Sequence, residues 1–89
     1  MRTAEKLELI TKGFANKRRI AILHMLSKNP DLDVESISEK LDLGYKATSE
    51  HLRKMYIAEL ITKEYEGYYT LHKLTPRGKQ ITSFLNRLR

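Results

Sequence analysis

Residues 41–58 read Leu41-Asp42-Leu43-Gly44-Tyr45-Lys46-Ala47-Thr48-Ser49-Glu50-His51-Leu52-Arg53-Lys54-Met55-Tyr56-Ile57-Ala58. Thr48, Leu52 and Met55 recur at four- and three-residue spacing, the period that gives a helix one inward face. Tyr45, Lys46, Ser49, Glu50 and Arg53 then share the other face, which is polar and free of bulky aliphatic groups. The preceding eight residues, Val34-Glu35-Ser36-Ile37-Ser38-Glu39-Lys40-Leu41, form a shorter helix with Val34, Ile37 and Leu41 inward and Ser36 and Ser38 outward, behind Asp33 as N-cap. Asp42-Leu43-Gly44 leaves room only for a tight turn, with Gly44 able to supply the positive φ that a sharp reversal can need. Two helices joined in this way form a helix-turn-helix.

The pattern changes after Ala58. Leu60–Tyr65 and Tyr68–Leu74 are rich in β-branched and aromatic residues, with Glu66-Gly67 between them, which predicts a β-hairpin. Thr75-Pro76 is a helix start, N-cap then first helical position, and Ile81, Phe84, Leu85 and Leu88 follow on one face. Upstream, residues 3–12 predict a helix with Leu7, Ile10 and Phe14 on one face and Gly13 loosening its end. Asn16 caps a second helix whose inward positions include Ile20, Ile22, Leu23 and Leu26, and Asn29-Pro30 stops it. The expected fold is therefore mainly α with a small β component (α+β): a winged helix-turn-helix, order α-α-α-α-β-β-α, with a short two-stranded wing. All 89 residues make one domain, in which the helices at 3–12 and 76–88 are candidate dimerisation elements.

A chain of 89 residues builds a marginal core, and with no cysteine it has neither disulfides nor thiolate metal sites to add to it. Oligomerisation is the simplest remaining way to bury more apolar surface. Leu7, Ile10 and Phe14 with Ile81, Phe84, Leu85 and Leu88 supply apolar stripes suited to a two-fold dimer. The start of the chain lacks the apolar run of a secretory signal, and no stretch approaches the ~18 apolar residues of a membrane span, so a cytoplasmic protein with no membrane partner is expected.

The net charge is +6 at pH 7, which favours a polyanionic partner. Its distribution is uneven. Residues 1–28 hold seven Lys or Arg against two Glu, residues 29–44 one Lys against five acids, and residues 75–89 four cations and no acid. The second helix of a helix-turn-helix fits a DNA major groove while the first braces it across the backbone. Lys46, Ser49 and Arg53 are the main candidates for base and phosphate contact, with Tyr45 and Glu50 beside them; Glu50 can accept from cytosine or pair with Lys46 or Lys54. Lys17, Arg18 and Arg19 oppose the dipole of the helix they begin, a mild penalty that suggests phosphate neutralisation by Lys17 and Arg18. In the wing, Lys63 and Lys73 are offset by Glu64 and Glu66, leaving Lys63 at most a glancing backbone contact. His24, His51 and His72 lie on three elements without ligand spacing, and no catalytic set can be assembled, so neither metal, cofactor nor enzyme activity is expected.

Phe14-Ala15-Asn16-Lys17-Arg18-Arg19-Ile20-Ala21-Ile22-Leu23 resembles the start of the ArsR-like winged-helix repressors. Leu41–Met55, continuing through Ala58-Glu59-Leu60-Ile61, resembles their recognition helix and entry to the wing, with Ser49, His51 and Leu52 matching a Ser-x-His-Leu run. Leu74-Thr75-Pro76-Arg77-Gly78 is similar to a segment following the wing in MarR- and PadR-like relatives. The resemblance covers residues 14–78 and implies a homodimeric, sequence-specific regulator of transcription, a repressor before an activator. It also implies a structural ion pair for Arg19. Two departures stand out: Glu59 occupies a position where the family usually has glycine, and the helix at Val34–Asp42 lacks the cysteine-containing metal motif of its sensors. Two other readings remain open. One is a protein-interaction winged helix using Tyr45, Tyr65, Tyr68 and Tyr69; the other is a sequence-indifferent architectural DNA-binding protein. No polar constellation argues for an effector.

Overall fold

The computed structural model describes residues 2–89. Its elements run α1 (Arg2–Phe14), α2 (Lys17–Lys28), α3 (Val34–Leu41), α4 (Tyr45–Ile57), β1 (Ile61–Glu66), β2 (Tyr69–Leu74) and α5 (Pro76–Arg87), the order expected of a winged helix. Ile22, Leu23 and Leu26 of α2, Ile37 of α3, Leu52 and Met55 of α4, and Ala58, Leu60 and Ile61 at the entry to the wing form one buried cluster. Each large aliphatic side chain fully withdrawn from water there contributes about 1.5–3 kcal/mol. Ile20 is only half-buried and lies outside this cluster, because α2 turns Ile22 rather than Ile20 towards α3 and α4. Among the described residues no helix is long and apolar enough to cross a membrane.

The caps follow their side-chain chemistry. Asn16 accepts from the amides of Arg18 and Arg19, Asp33 from Ser36 and Thr75 from Gly78, so each helix start satisfies otherwise orphaned donors. The turn before α4 differs from expectation. Gly44 has φ −63° and serves as N-cap, while Asp42 takes the left-handed conformation at φ +52°. Aspartate tolerates that region better than most residues, so the reversal is made two residues earlier than a glycine-based reading places it. Ser38 is buried rather than outward, because its hydroxyl returns to the Val34 carbonyl at 2.8 Å and needs no water.

Gly13 does not loosen α1, which continues to Phe14. It is the point of close approach between α1 and the end of α4: a Cβ at this position would collide with the Ala58 Cβ. The wing turn is also displaced by one residue. Glu66 pairs with Tyr69, so Gly67 and Tyr68 form the two-residue loop, with Gly67 at φ +62° in the first central position as a type II′ turn requires.

Glu59 carries φ +59°, a left-handed conformation costly for a residue with a Cβ. It is held there because Leu60 N–H donates to Met55, the Thr75 hydroxyl donates to the Glu59 carbonyl at 2.7 Å, and Arg77 reaches the Glu59 carboxylate at 3.7 Å. Glu59→Gly should therefore stabilise the domain by about 1 kcal/mol, the relief of left-handed strain less the added chain entropy, read as a raised midpoint in urea unfolding.

A third segment extends the wing at its base. His72 N–H donates to Leu32 and Asp31 N–H donates to His72, so the loop after α2 lies along β2. His72 is 1% exposed, its Nδ1 is 2.9 Å from the Leu32 carbonyl, and burial holds its pKa below the ordinary histidine value. The neutral ring is thus favoured in the folded state, and its contribution is present above pH ~6.5 and lost as pH falls below that towards the depressed folded pKa. Unfolding free energy should decline from pH 7 to pH 5, and His72→Gln should flatten that decline. An unchanged slope in the variant would show that the proton is taken up elsewhere.

Candidate nucleic-acid interface

The outward face of α4 is set by what its inward face buries. Thr48, Leu52 and Met55 are at most 1% exposed, and the Thr48 hydroxyl is satisfied by the Gly44 carbonyl at 2.9 Å. This leaves Tyr45, Lys46, Glu50 and Arg53 exposed and Ser49 half-buried between them. The five residues read from the α4 sequence are therefore one contiguous surface.

Arg53 is not idle on that surface. Its guanidinium clasps Glu50, with Nη2 to Oε1 at 2.6 Å and Nε 3.1 and 3.2 Å from the two carboxylate oxygens. Glu50 thus pairs with Arg53, not with Lys46 or Lys54, since a planar guanidinium three residues on can engage both oxygens. That pairing holds the Glu50 carboxyl below the ordinary carboxylate range. Both side chains are about half exposed, so the pair is cheap to open, and a base or phosphate can take the guanidinium from Glu50.

The basic start of α2 lies beside the middle of α4. His51 has its pKa lowered by burial and then by the charges of Arg19, Arg18 and Lys54, which places these cations around it. Lys17 is exposed and Arg18 half-buried. Arg19 behaves differently: it turns inward to 8% exposure and its Nη1 lies 3.3 Å from His51 Nδ1. The ion pair that the resemblance implies for Arg19 is not formed; no carboxylate lies within salt-bridge distance of it among the described residues. The neutral His51 ring offers Nδ1 as acceptor in its place.

Lys63 sits low on the wing, opposite His72, with its ammonium 4.7 Å from the centre of the Tyr56 ring. The wing tip is instead aromatic: Tyr65 and Tyr68 are 80% and 104% exposed. Tyr45, Tyr68 and Tyr69 border one groove of about 270 Å³ together with Asp33 and Glu35, so the start of α4 and the wing face each other. Strand composition announced Tyr65, Tyr68 and Tyr69, but only the assembled fold shows that Tyr68 and Tyr69 meet Tyr45 at the start of α4. The apolar stripes of the terminal helices divide in two. Ile10, Phe14, Ile81 and Leu85 pack against the domain's own core, whereas Leu7, Phe84 and Leu88 remain exposed. Leu9, also exposed, was not marked by the helical period. Among the described residues no group of three or more His, Asp or Glu is placed to hold a metal ion.

Comparison with known proteins agrees with this geometry. Residues 16–63 match the family described as bacterial regulatory proteins of the arsR family. The chain is 32% identical to the transcriptional activator HlyU of Vibrio cholerae over 98% of its own length and 81% of that of HlyU. The solved HlyU structure superposes with a TM-score of 0.85 at 31% identity, covering 97% of this chain and 94% of HlyU. The transcriptional repressor PagR of Bacillus anthracis aligns with a TM-score of 0.81 at 25% identity, covering 94% and 97% of the two chains. A homodimeric winged helix-turn-helix domain from Mycobacterium bovis gives 0.89 at 18% identity over 98% and 81%, a likeness of fold. With its helix-turn-helix, its wing and its outward-facing α4, this chain belongs to the ArsR family of DNA-binding transcriptional regulators, not enzymes.

Proposed function

We infer that the chain acts as a homodimer that recognises a pseudo-palindromic site in double-stranded DNA, with α4 in the major groove. The observation that carries this reading is the division of α4: Thr48, Leu52 and Met55 are buried, while Lys46, Ser49 and Arg53 share the open face with Tyr45 and Glu50. Arginine and lysine match guanine edges, and serine serves base or phosphate. The α4 stretch itself carries little net charge, so α4 supplies specificity. Lys17, Arg18 and the cations of α5 supply the long-range attraction. Lys63, turned towards Tyr56, adds no more than a backbone contact.

The dimer is supported by the exposed Leu7 of α1, Phe84 of α5 and Leu88 at the C-cap of α5, and by the homodimeric state named for the M. bovis domain. A two-fold arrangement sets two α4 helices about one DNA turn apart. Phe84→Glu with Leu88→Glu should convert the protein to monomers in sedimentation and weaken duplex binding by at least about tenfold, as the second half-site is lost. An unchanged sedimentation coefficient would remove the α5 part of the interface.

Repression needs only occupancy of a site overlapping a promoter, and it is the sign we propose. PagR is named a repressor and HlyU an activator, so a reporter assay decides between them. Selection from random duplexes at two salt concentrations tests the reading as a whole. A recovered palindromic motif supports it. Enrichment of no motif, with steeply salt-dependent binding, would indicate an architectural protein, and no duplex binding at either salt would favour a protein partner for the tyrosine surface.

A further inference from the structure

Among the described residues, Arg19 is a buried cation without an anion. It is 8% exposed, its Nε is buried without a hydrogen-bond partner, and its Nη1 meets only the neutral ring of His51 at 3.3 Å. Burying a guanidinium without a counter-charge is costly unless the site completes its pairing with something else. Beside Arg19, a cavity of about 380 Å³ opens between α1, the start of α2 and the end of α4. Its walls include Lys12, Arg19 and Lys54 together with Leu9 and Ile57, and none of its lining residues is acidic. Glu8 reaches Lys12 at 3.5 Å, but as an exposed pair along α1 that leaves Arg19 and Lys54 untouched. Leu9 and Ile57 are 48% and 47% exposed, so the apolar part of the wall is also uncovered.

We propose that this cavity binds a small amphipathic anion, a carboxylate carried on an apolar body. The carboxylate would lie between Arg19 and Lys54 and the body on Leu9 and Ile57. The volume is that of a small-molecule site, and a mostly apolar wall with a few convergent polar groups is how such sites are built. A planar guanidinium matches a carboxylate, and the apolar wall disfavours a fully hydrated phosphate. Ile57 follows Arg53 by one turn on the same side of α4, so the cavity adjoins the C-terminal end of the Lys46, Ser49 and Arg53 surface. Because His51 belongs to α4, an anion that draws the guanidinium away alters a contact between α2 and the recognition helix. That last step rests on the DNA-binding reading; the site itself does not.

The test needs no DNA. The Arg19 Nε–Hε signal and the methyl signals of Leu9 and Ile57 are followed by NMR in the full chain during titration with sodium octanoate and, separately, with inorganic phosphate. Saturable shifts of all three with octanoate, and none with phosphate, are expected. Arg19→Gln risks the fold, so the exposed Lys54→Gln is the variant to use, and it should weaken octanoate binding about tenfold with an otherwise unchanged spectrum. Absence of saturation, equal response to phosphate, or an undiminished response in Lys54→Gln overturns the proposal. So does an Arg19 signal that follows protein dilution instead of octanoate, since an acidic group of a second copy would then be the anion.

Discussion

Lys46→Ala combined with Arg53→Ala should lower affinity for a selected duplex by about 100-fold or more while leaving the thermal midpoint within a few degrees of the parent. The size follows from the contacts removed, since each side chain well matched to a base contributes about 1–3 kcal/mol and the two sit on one exposed face. Stability should barely change, because neither residue touches the core and the only described partnership lost is the exposed Arg53–Glu50 pair, worth at most about 1 kcal/mol. Gel shift or fluorescence anisotropy reads the affinity and circular dichroism the fold. Glu50→Gln makes a useful comparison: it frees Arg53 without removing a cation, so it should relax sequence preference rather than abolish binding. Undiminished binding by the double variant would separate α4 from DNA recognition altogether.

The second large effect concerns stability. Gly78→Ala should destabilise the domain by about 3 kcal/mol, at the upper end of ordinary overpacking. A Cβ on Gly78 would run into the Leu60 carbonyl oxygen, a backbone atom that cannot swing aside. That oxygen already accepts from Thr75 N–H at 3.0 Å, and Gly78 lies in the first turn of α5, capped by Thr75 and receiving the Thr82 hydroxyl on its carbonyl. Relieving the clash means lifting α5 from the base of the wing and weakening the bonds that cross there, from Thr75 N–H to Leu60, from the Thr75 hydroxyl to Glu59 and from Arg77 to the Ala58 carbonyl. A domain of this size has only about 5–10 kcal/mol in total, so the loss should show plainly as a lower urea midpoint. Ser83→Ala, on the exposed side of α5, should leave the midpoint in place.

Periodicity carried the fold far, and its failures have two causes, distant partners and local alternatives of equal spacing. The inward set Thr48, Leu52, Met55 and the outward set of α4 follow from a 3.6-residue repeat, a local property of the chain. The caps at Asn16, Asp33 and Thr75 are local as well, since each side chain bonds an amide two or three residues ahead. Part of what escaped depends on distant partners. The Arg19–His51 contact spans 32 positions and the His72–Leu32 contact 40, and no pattern within one helix announces either. Gly13 and Gly78 were open to a reading as helix looseners or as part of a family segment; only assembled packing shows that Ala58 and Leu60 need the space. Gly44 and Asp42 exchanged roles because both tolerate turns and composition cannot say which takes the left-handed position. The candidate interface was legible as a list of residues. The commitment of Arg53 to Glu50 and of Lys63 to Tyr56 was not, since several pairings satisfy the same spacing.

We propose that α4 reads base edges in the major groove as part of a two-fold dimer. Methylation interference on the selected duplex addresses it directly, because guanine N7 lies in the major groove. Two clusters of interfering guanines, centred about one helical turn, ~10.5 base pairs, apart, are expected, with both clusters' effect lost in the Lys46→Ala, Arg53→Ala protein. Binding that is indifferent to N7 methylation, or interference unchanged in that variant, would contradict it.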